Sequence, residues 1–467
     1  MDISMSPILN ETTTGLCPVC LHSVPATLTE CNNQIWIEQD CEHHGKNVAL
    51  LSSDATVYKR LRTYEVDRIG GGAACCGPGT VCEDGPPTCV LLLEITQACN
   101  LRCPTCYADA QGHEMMSMDH AKDLLITFFK TQSKLDVLMI SGGEPTIHPH
   151  FIEILDMALA FPIDRVVINT NGLRLTQSPE LVSALQARRE RIELYFSYGS
   201  FRPEIHLRLY GKDLVSRKQE ALQIACDAGL FINLVPTVEA GVNDDEIGEL
   251  YRFALRHPTI CGITYQPVMD TGRYEHGYDP ATRLTLTGVL ERLEAQTNGE
   301  LKVSDFVGLP CSHPDCCVLT YGILSQNRQT FHPLPRHIDI SRYLDLFADR
   351  ISFAGLLEGA VKRIWSDTIN LRAKQTLQDL ITVYRHSGLK DLLPYWHNPA
   401  EVGRRTFRVV VKPFMDAHTY DARRVEQCCT KILNENGEAI SFCEFNIFHR
   451  GRVPKRGRVQ LNVLGSK

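Results

Sequence analysis

"ITQACNLRCPTCYADA", residues 95–110, sets Cys99, Cys103 and Cys106 in a Cys-x3-Cys-x2-Cys spacing directly behind the apolar run "VLLLEIT" at 90–96. The run reads as a buried strand, and the cysteines fall on the loop at its carboxyl end, where parallel α/β folds place their chemistry. Three thiolates on one tight loop suit an iron–sulfur cluster, with one iron left open for catalysis. The bacterial ferredoxin run has a different spacing. A closed zinc site needs a fourth ligand, and the nearest, His113, lies seven residues beyond Cys106.

From residue 90 onward, short β-rich runs alternate with helical patterns. The strands read at 90–96, 137–141, 165–170, 192–197, 231–238 and 263–268. Helix starts are marked between them: Ser178 before Pro179 forms a cap and first turn, and Asn243 with Glu246 resembles a capping box. Six strands, each followed by a helix, predict an α/β fold with a partial, open (β/α)6 barrel rather than the closed eightfold one. After about 275 the pattern loosens. Helical stretches at 283–297, 352–364 and 370–386 surround "LPCSHPDCCVLTY" (309–321), and a strand candidate, "TFRVVVKPF" (406–414), precedes "CCTKILNENGEAISFC" (428–443). The domains expected are an N-terminal Cys/His metal-binding region (1–69), a Gly/Pro-rich cysteine loop (70–89), the barrel core (90–275) and an α+β C-terminal domain (276–467).

The composition is ordinary for a globular chain of 467 residues, with 43% hydrophobic and 22% charged residues. A net charge of −7 gives no sign of nucleic acid as a general partner. The basic end, Arg450 to Lys467, reads as a solvated tail. No apolar run approaches the ~20 residues that span a bilayer, and "MDISMSPILNETTTG" lacks the pattern of a signal peptide. A cytoplasmic, reducing location is therefore expected, at the membrane surface if the substrate is a lipid. There, 19 clustered cysteines point to metal rather than to disulfides.

"SGGEPTIHP" (141–149) follows the second strand. Gly142 and Gly143 allow close backbone approach to a ligand, Glu144 offers an acceptor for an ammonium group, and Pro145 completes the turn. "NTNG" (169–172) ends the third strand, where Asn169 and Asn171 can reach a ribose, although Asn-Gly is equally a plain turn signal. The cysteine spacing, the aromatic Tyr107 after the last cysteine and the Gly-Gly-Glu-Pro stretch one strand later resemble the radical S-adenosylmethionine (SAM) superfamily. The resemblance implies a [4Fe–4S] cluster whose open iron chelates SAM, with the Gly142–Pro145 backbone holding the SAM amino group. It also implies reductive cleavage of SAM to a 5′-deoxyadenosyl radical, hydrogen abstraction from an unactivated C–H bond, and a reductase, flavodoxin or ferredoxin as electron donor.

Over nearly the whole chain the sequence is similar to the narrower family that includes the archaeal tetraether lipid synthases, one member of which has been assigned as a dihydropterin methyltransferase. "LCPVC", "CEHHG", "LVPTVEAGVNDDEIG", "PCSHPDCC" and "FMDAHTYDARRVEQCC" carry that similarity. Cys17, Cys20, Cys41 and His44 form a mononuclear site, zinc by spacing and rubredoxin-like iron by resemblance, with Cys31 and His43 as spare ligands. The family implies a first auxiliary [4Fe–4S] cluster on Cys75, Cys76, Cys82 and Cys89; Gly79 stands where its pattern has a middle cysteine. A second auxiliary cluster falls on Cys311, Cys316, Cys428 and Cys443, with Cys317 and Cys429 as alternates. Cys226 and Cys261 read as packing residues. Phe196-Ser197-Tyr198-Gly199 replaces the family's Gln-Phe-Asp-Gly, at a position expected to face the active-site mouth. Tyr198 is a candidate hydrogen donor to a substrate radical, with a packed aromatic as the competing reading. Asp416 and His418 begin a cobalamin-binding pattern that Asp421 breaks, which disfavours that cofactor.

The expected function is a radical SAM enzyme forming a C–C bond on a lipid or transferring a methyl group to a small molecule. The alternatives are a radical dehydratase or epimerase of secondary metabolism and, from another class, a zinc-binding scaffold.

Overall fold

The computed structural model describes residues 10–63, 88–309, 312–337 and 398–450, with isolated positions between 382 and 394. The helices expected at 352–364 and over most of 370–386, Cys75, Cys76, Cys82 and Cys311, and the tail beyond Arg450 lie outside the described residues.

All six expected core strands form, at Val90–Thr96, Leu135–Gly142, Ile163–Thr170, Ile192–Ser197, Ile232–Val235 and Ile260–Pro267. They lie parallel and side by side in chain order. Helices connect them and cover one face. In the first strand every residue except Glu94 is buried, as expected where both faces of a parallel sheet are covered. The helix Pro179–Gln186 starts as its sequence requires: the Ser178 side chain accepts from the Leu181 amide, and Pro179 takes the first turn.

The capping box expected at Asn243 and Glu246 does not form. Asn243 instead donates to the carbonyls of Gly199 and Thr237, each at 2.8 Å. Glu246 accepts from the Ser200 hydroxyl at 2.5 Å and the Phe201 amide at 3.1 Å. Both side chains serve the loop after the fourth core strand, and the helix Ile247–Arg256 begins without a side-chain cap.

Residues beyond 275 enter the same sheet. Thr406–Val411 adds a parallel strand beside Ile260–Pro267, and Val318–Leu324 pairs antiparallel with it. At the opposite edge, Thr430–Leu433 runs parallel to Val90–Thr96 and is followed by Ala439–Ser441. The Lys412 ammonium then donates to the Thr430 hydroxyl at 3.1 Å, bridging the two edges of the curled sheet.

Ahead of the core, residues 10–52 form a four-stranded antiparallel meander. Asn32 and Asn33, both with positive φ, make its central turn, as the right-handed strand twist favours. The Thr13 hydroxyl donates to Asp421 at 2.6 Å and the Gln39 side chain to the Ala417 carbonyl at 3.1 Å, tying the meander to the C-terminal segment. Among the described residues no helix is long and apolar enough to cross a membrane. Ser178→Ala should lower stability by ~1 kcal/mol, measured as a lower urea midpoint.

Candidate active site

The thiol loop is built on the end of the first core strand. The Thr96 hydroxyl accepts from the Ala98 amide at 2.9 Å and donates to the Glu114 carbonyl at 2.8 Å. The Gly143 amide donates to the Thr96 carbonyl at 2.8 Å, and the Glu144 amide to the Ala98 carbonyl at 2.9 Å. These two bonds strap the loop after the second strand onto the base of the thiol loop. A Cβ on Gly142 would stand 2.1 Å from the Thr96 carbonyl oxygen, and one on Gly143 2.0 Å from that of Ala98. Gly142 also has φ +127°. Both glycines are therefore required by the close approach of two backbone segments of this chain.

Glu144 is fully buried and saturated by protein donors. One oxygen accepts from the Thr146 amide at 3.2 Å and the hydroxyls of Thr146 and Thr170 at 2.6 and 2.8 Å; the other accepts from the Asn171 amide at 2.7 Å. Burial pushes its carboxyl above the usual range against the pull of these bonds. Here Glu144 ties the second strand's loop to the third strand's end. Pro145 opens a single 3-10 turn, Pro145–Ile147. Asn169 donates to the Ser141 hydroxyl at 3.1 Å and the Tyr107 hydroxyl at 3.3 Å, and Asn171 donates to the Asn100 side chain at 2.6 Å. Asn171 thus joins the third strand directly to the thiol loop.

Two buried cations flank the loop, and neither was singled out from the sequence. Arg273 donates to Asp109 at 2.9 Å and to the Cys103 and Ala110 carbonyls at 3.3 and 3.0 Å, while Arg273–Tyr274 pairs antiparallel with Thr105–Cys106. Lys218, on the helix Val215–Asp227, donates to the Asn171 carbonyl at 3.0 Å and to the Ser197 carbonyl and hydroxyl at 2.7 and 3.0 Å. Its ammonium lies 4.5 Å from the Tyr210 ring centroid. Burial lowers it to about 8, opposed by the charges of Cys103, Glu144 and Cys99. Burial likewise raises the Cys99 thiol to about 11 and that of Cys103 to about 12. A metal must displace these protons, so loading of the loop is coupled to pH. Three soft donors beside two fixed cations fit an anionic iron–sulfur cluster.

Tyr198 is placed among aromatics. It is fully buried, stacked on Phe253 at 5.5 Å, with Phe201 and His206 against it. Arg450, expected at the start of a solvated tail, has a buried side chain that pairs with Glu94 and lies 5.8 Å from the Tyr107 ring centroid.

At the N-terminus, Cys17, Cys20, Cys41 and His44 bring their ligand atoms within 4.8 Å of one another, the only such metal-binding group among the described residues. The His44 Nδ1 lies 3.6 Å from the Cys17 sulfur and 3.5 Å from that of Cys41. The hydrogen bond with His44 is the main cause that lowers the Cys41 thiol to about 6. Cys31, on the central hairpin, and His43, exposed beside His44, do not join this group.

Of the remaining cysteines, the Cys316 sulfur accepts from Arg424 Nε and the Cys443 sulfur from the Met415 amide, each at 3.3 Å. Cys89, Cys317 and Cys429 line an internal cavity. Cys226 packs in the main core, and Cys261 is buried with its thiol 3.4 Å from the Ile232 carbonyl.

Residues 93–254 match the model of the radical SAM superfamily, and residues 9–53 that of the HMPTM N-terminal zinc ribbon domain. The chain thus carries a radical SAM domain, of a superfamily that implies a [4Fe–4S] cluster and SAM, behind an N-terminal zinc ribbon domain. It is 27% identical to the 7,8-dihydro-6-hydroxymethylpterin dimethyltransferase of Methanocaldococcus jannaschii over 97% of this chain and 96% of that one. It is 28% identical to a probable GTP 3',8-cyclase of Thermococcus kodakarensis over 38% of this chain and 57% of that one. Streptococcus suis SuiB bound to S-adenosylmethionine aligns over 46% of this chain and 48% of its own, at 16% identity and a TM-score of 0.38.

Gly143→Ala should misplace the thiol loop and lower SAM cleavage by more than tenfold, read as 5′-deoxyadenosine released per chain. Cys41→Ser should release the ribbon's metal, read as one equivalent of zinc or iron lost by elemental analysis.

Proposed function

We propose that this enzyme uses a SAM-derived radical to abstract hydrogen from an unactivated C–H bond of a small heterocyclic molecule, as the opening step of a methyltransferase-type reaction at that carbon. The observation that carries this reading is the three-thiol loop strapped to Gly142–Glu144. When bound to Cys99, Cys103 and Cys106, a [4Fe–4S] cluster supplies the electron that cleaves SAM to the 5′-deoxyadenosyl radical. Gly142, Gly143, Pro145, Asn169 and Asn171 shape the SAM side of the site, and Glu144 holds their loops in register.

The name of the M. jannaschii relative supports a pterin-like substrate. Coupling of lipid alkyl chains is the second reading, favoured by the apolar lining (Val90, Val137, Val167 and Leu319) of the cavity inside the sheet. Auxiliary iron–sulfur clusters on the remaining cysteine groups, one zinc or iron in the ribbon, a flavodoxin- or ferredoxin-type donor and a cytoplasmic location complete the proposal. By role, residues 1–69 form the metal-binding region, 70–89 an auxiliary-cluster loop, 90–275 the radical core and 276–467 the auxiliary-cluster region.

The test is anaerobic reconstitution followed by SAM and dithionite. 5′-Deoxyadenosine should form, and Cys103→Ala should abolish it; unchanged product in that variant sinks the reading. Deuterium carried from a labelled pterin, and not from a labelled lipid, into deoxyadenosine supports the heterocyclic substrate.

A further inference from the structure

His418 stands where the ribbon, the barrel core and the C-terminal segment meet, and a chain of hydrogen bonds fixes its ring. Gln39 Nε2 donates to the Ala417 carbonyl at 3.1 Å. A carbonyl only accepts, so the orientation of the Gln39 amide is settled. Gln39 Oε1 then accepts from Asn47 Nδ2 at 2.8 Å, which turns Asn47 Oδ1 toward His418 Nδ1, 3.1 Å away. Nδ1 therefore carries a proton. His418 Nε2 lies 3.5 Å from the Asp270 carboxylate. The neighbouring Asp416 is fully buried. One of its oxygens accepts from the Thr419 amide and hydroxyl at 3.1 and 2.9 Å, and the other from the Asp270 amide at 3.1 Å.

Each end of this connection leads to a metal-binding loop. On one side, Gln39 and Asn47 are cross-strand partners in the hairpin whose tip carries Cys41 and His44. Gln39 stands two residues before Cys41 and Asn47 three after His44. Metal binding and folding of such a tip are one equilibrium, so a bound ion would hold the pair in register. On the other side, Asp270 lies in the turn between the last core strand and the short strand Arg273–Tyr274. That short strand pairs with Thr105–Cys106 of the thiol loop. In the same turn, the Thr271 amide donates to the Met269 carbonyl at 3.0 Å. A Cβ on Gly272 would stand 2.4 Å from the Cys106 carbonyl oxygen and 2.3 Å from that of Tyr107. The turn that His418 and Asp416 hold is therefore the one packed against the last cysteine of the thiol loop.

We propose that His418 is a positioning residue that couples the ribbon's metal hairpin to the thiol loop. The metal keeps Gln39 and Asn47 on the Ala417–His418 segment, His418 and Asp416 keep Asp270 in place, and the Asp270–Arg273 turn keeps its packing on Cys106. Loss of the metal frees Gln39 and Asn47, and the turn beside Cys106 loosens. The ribbon is then part of the machinery that shapes the thiol loop and not a separate module. Asp416 and His418, which the sequence offered only as the start of a broken cobalamin pattern, take their role from these contacts. The inference rests on the proposed radical function only where deoxyadenosine release serves as a readout.

The experiment uses the full chain, reconstituted anaerobically, in a double-mutant cycle of Cys41→Ser, which empties the ribbon, and His418→Ala. Two quantities are read: hydrogen exchange of the amides of 268–276, and 5′-deoxyadenosine released with SAM and dithionite. Cys41→Ser alone should speed exchange in 268–276 by about tenfold and lower deoxyadenosine by about fivefold, with exchange in the core strand Leu135–Gly142 unchanged. His418→Ala alone should do the same while the ribbon keeps its metal, and the double variant should go no further than either single one. Effects that multiply in the double variant, or exchange in 268–276 that Cys41→Ser leaves unchanged, overturn the inference. Because an emptied ribbon can unfold, two variants that retain its metal are also compared. His418→Asn keeps a donor toward Asn47 in the place of Nδ1, and His418→Gln keeps one toward Asp270 in the place of Nε2. Each breaks one link, so each should speed exchange in 268–276; exchange equal to the unaltered chain in either one overturns the inference. An unaltered chain that shows the coupling by exchange but releases no deoxyadenosine sinks the proposed function and leaves this inference standing.

Discussion

Two backbone hydrogen bonds, Gly143 to Thr96 and Glu144 to Ala98, hold the rest of the site in place. They exist because neither Gly142 nor Gly143 carries a Cβ, which would stand about 2 Å from a carbonyl oxygen. From that strap the connections run outward. Glu144 gathers Thr170 and the Asn171 amide, Asn171 reaches Asn100 with its side chain and Lys218 with its carbonyl, and Lys218 holds Ser197. The carboxyl ends of the first four core strands are thereby locked to one another around the thiol loop. Glu144 and Lys218, the buried links, would be left unsatisfied by loss of their partners.

The charges around the loop complement an anionic occupant. Lys218 and Arg273 are both buried, and burying a cation is costly unless a negative charge compensates it. Arg273 has Asp109. Lys218 has carbonyl and hydroxyl partners and is lowered to about 8. An anionic cluster on Cys99 and Cys103 would raise Lys218 again and so favour its charged form. The same cations make it easier for the thiols to lose their protons to a metal.

Closure of the sheet depends on segments far away in the chain. A parallel sheet with open edges exposes unpaired backbone groups. Here, residues after 405 cover both edges, with Thr406–Val411 on one side and Thr430–Leu433 on the other. The same segments place Cys317 and Cys429 on one cavity and carry Arg450 back to Glu94. The C-terminal segment therefore helps to build the interior that the barrel encloses.

Much of this was readable from the chain alone because it is local. The six strands appear as runs of apolar residues, Ser178-Pro179 caps its own helix, the spacing of Cys99, Cys103 and Cys106 confines them to one loop, and Cys17 with Cys20 and Cys41 with His44 fall in two turns of one short meander. What the sequence could not disclose depends on contacts between distant residues. Asn243 and Glu246 look like a local cap but bond to a loop some 45 residues away because that loop buries unpaired polar groups. Lys218 and Arg273 carry no motif, and only packing makes them neighbours of the thiols. Tyr198 lies beside the expected active-site mouth in sequence, yet it packs on Phe253. The sequence by itself determined the strand order and the thiol sets held within single loops. Tertiary structure alone decided that Cys89 and Cys429 stand at the starts of neighbouring strands, because that follows from the register of Val90 with Thr430, residues more than three hundred positions apart.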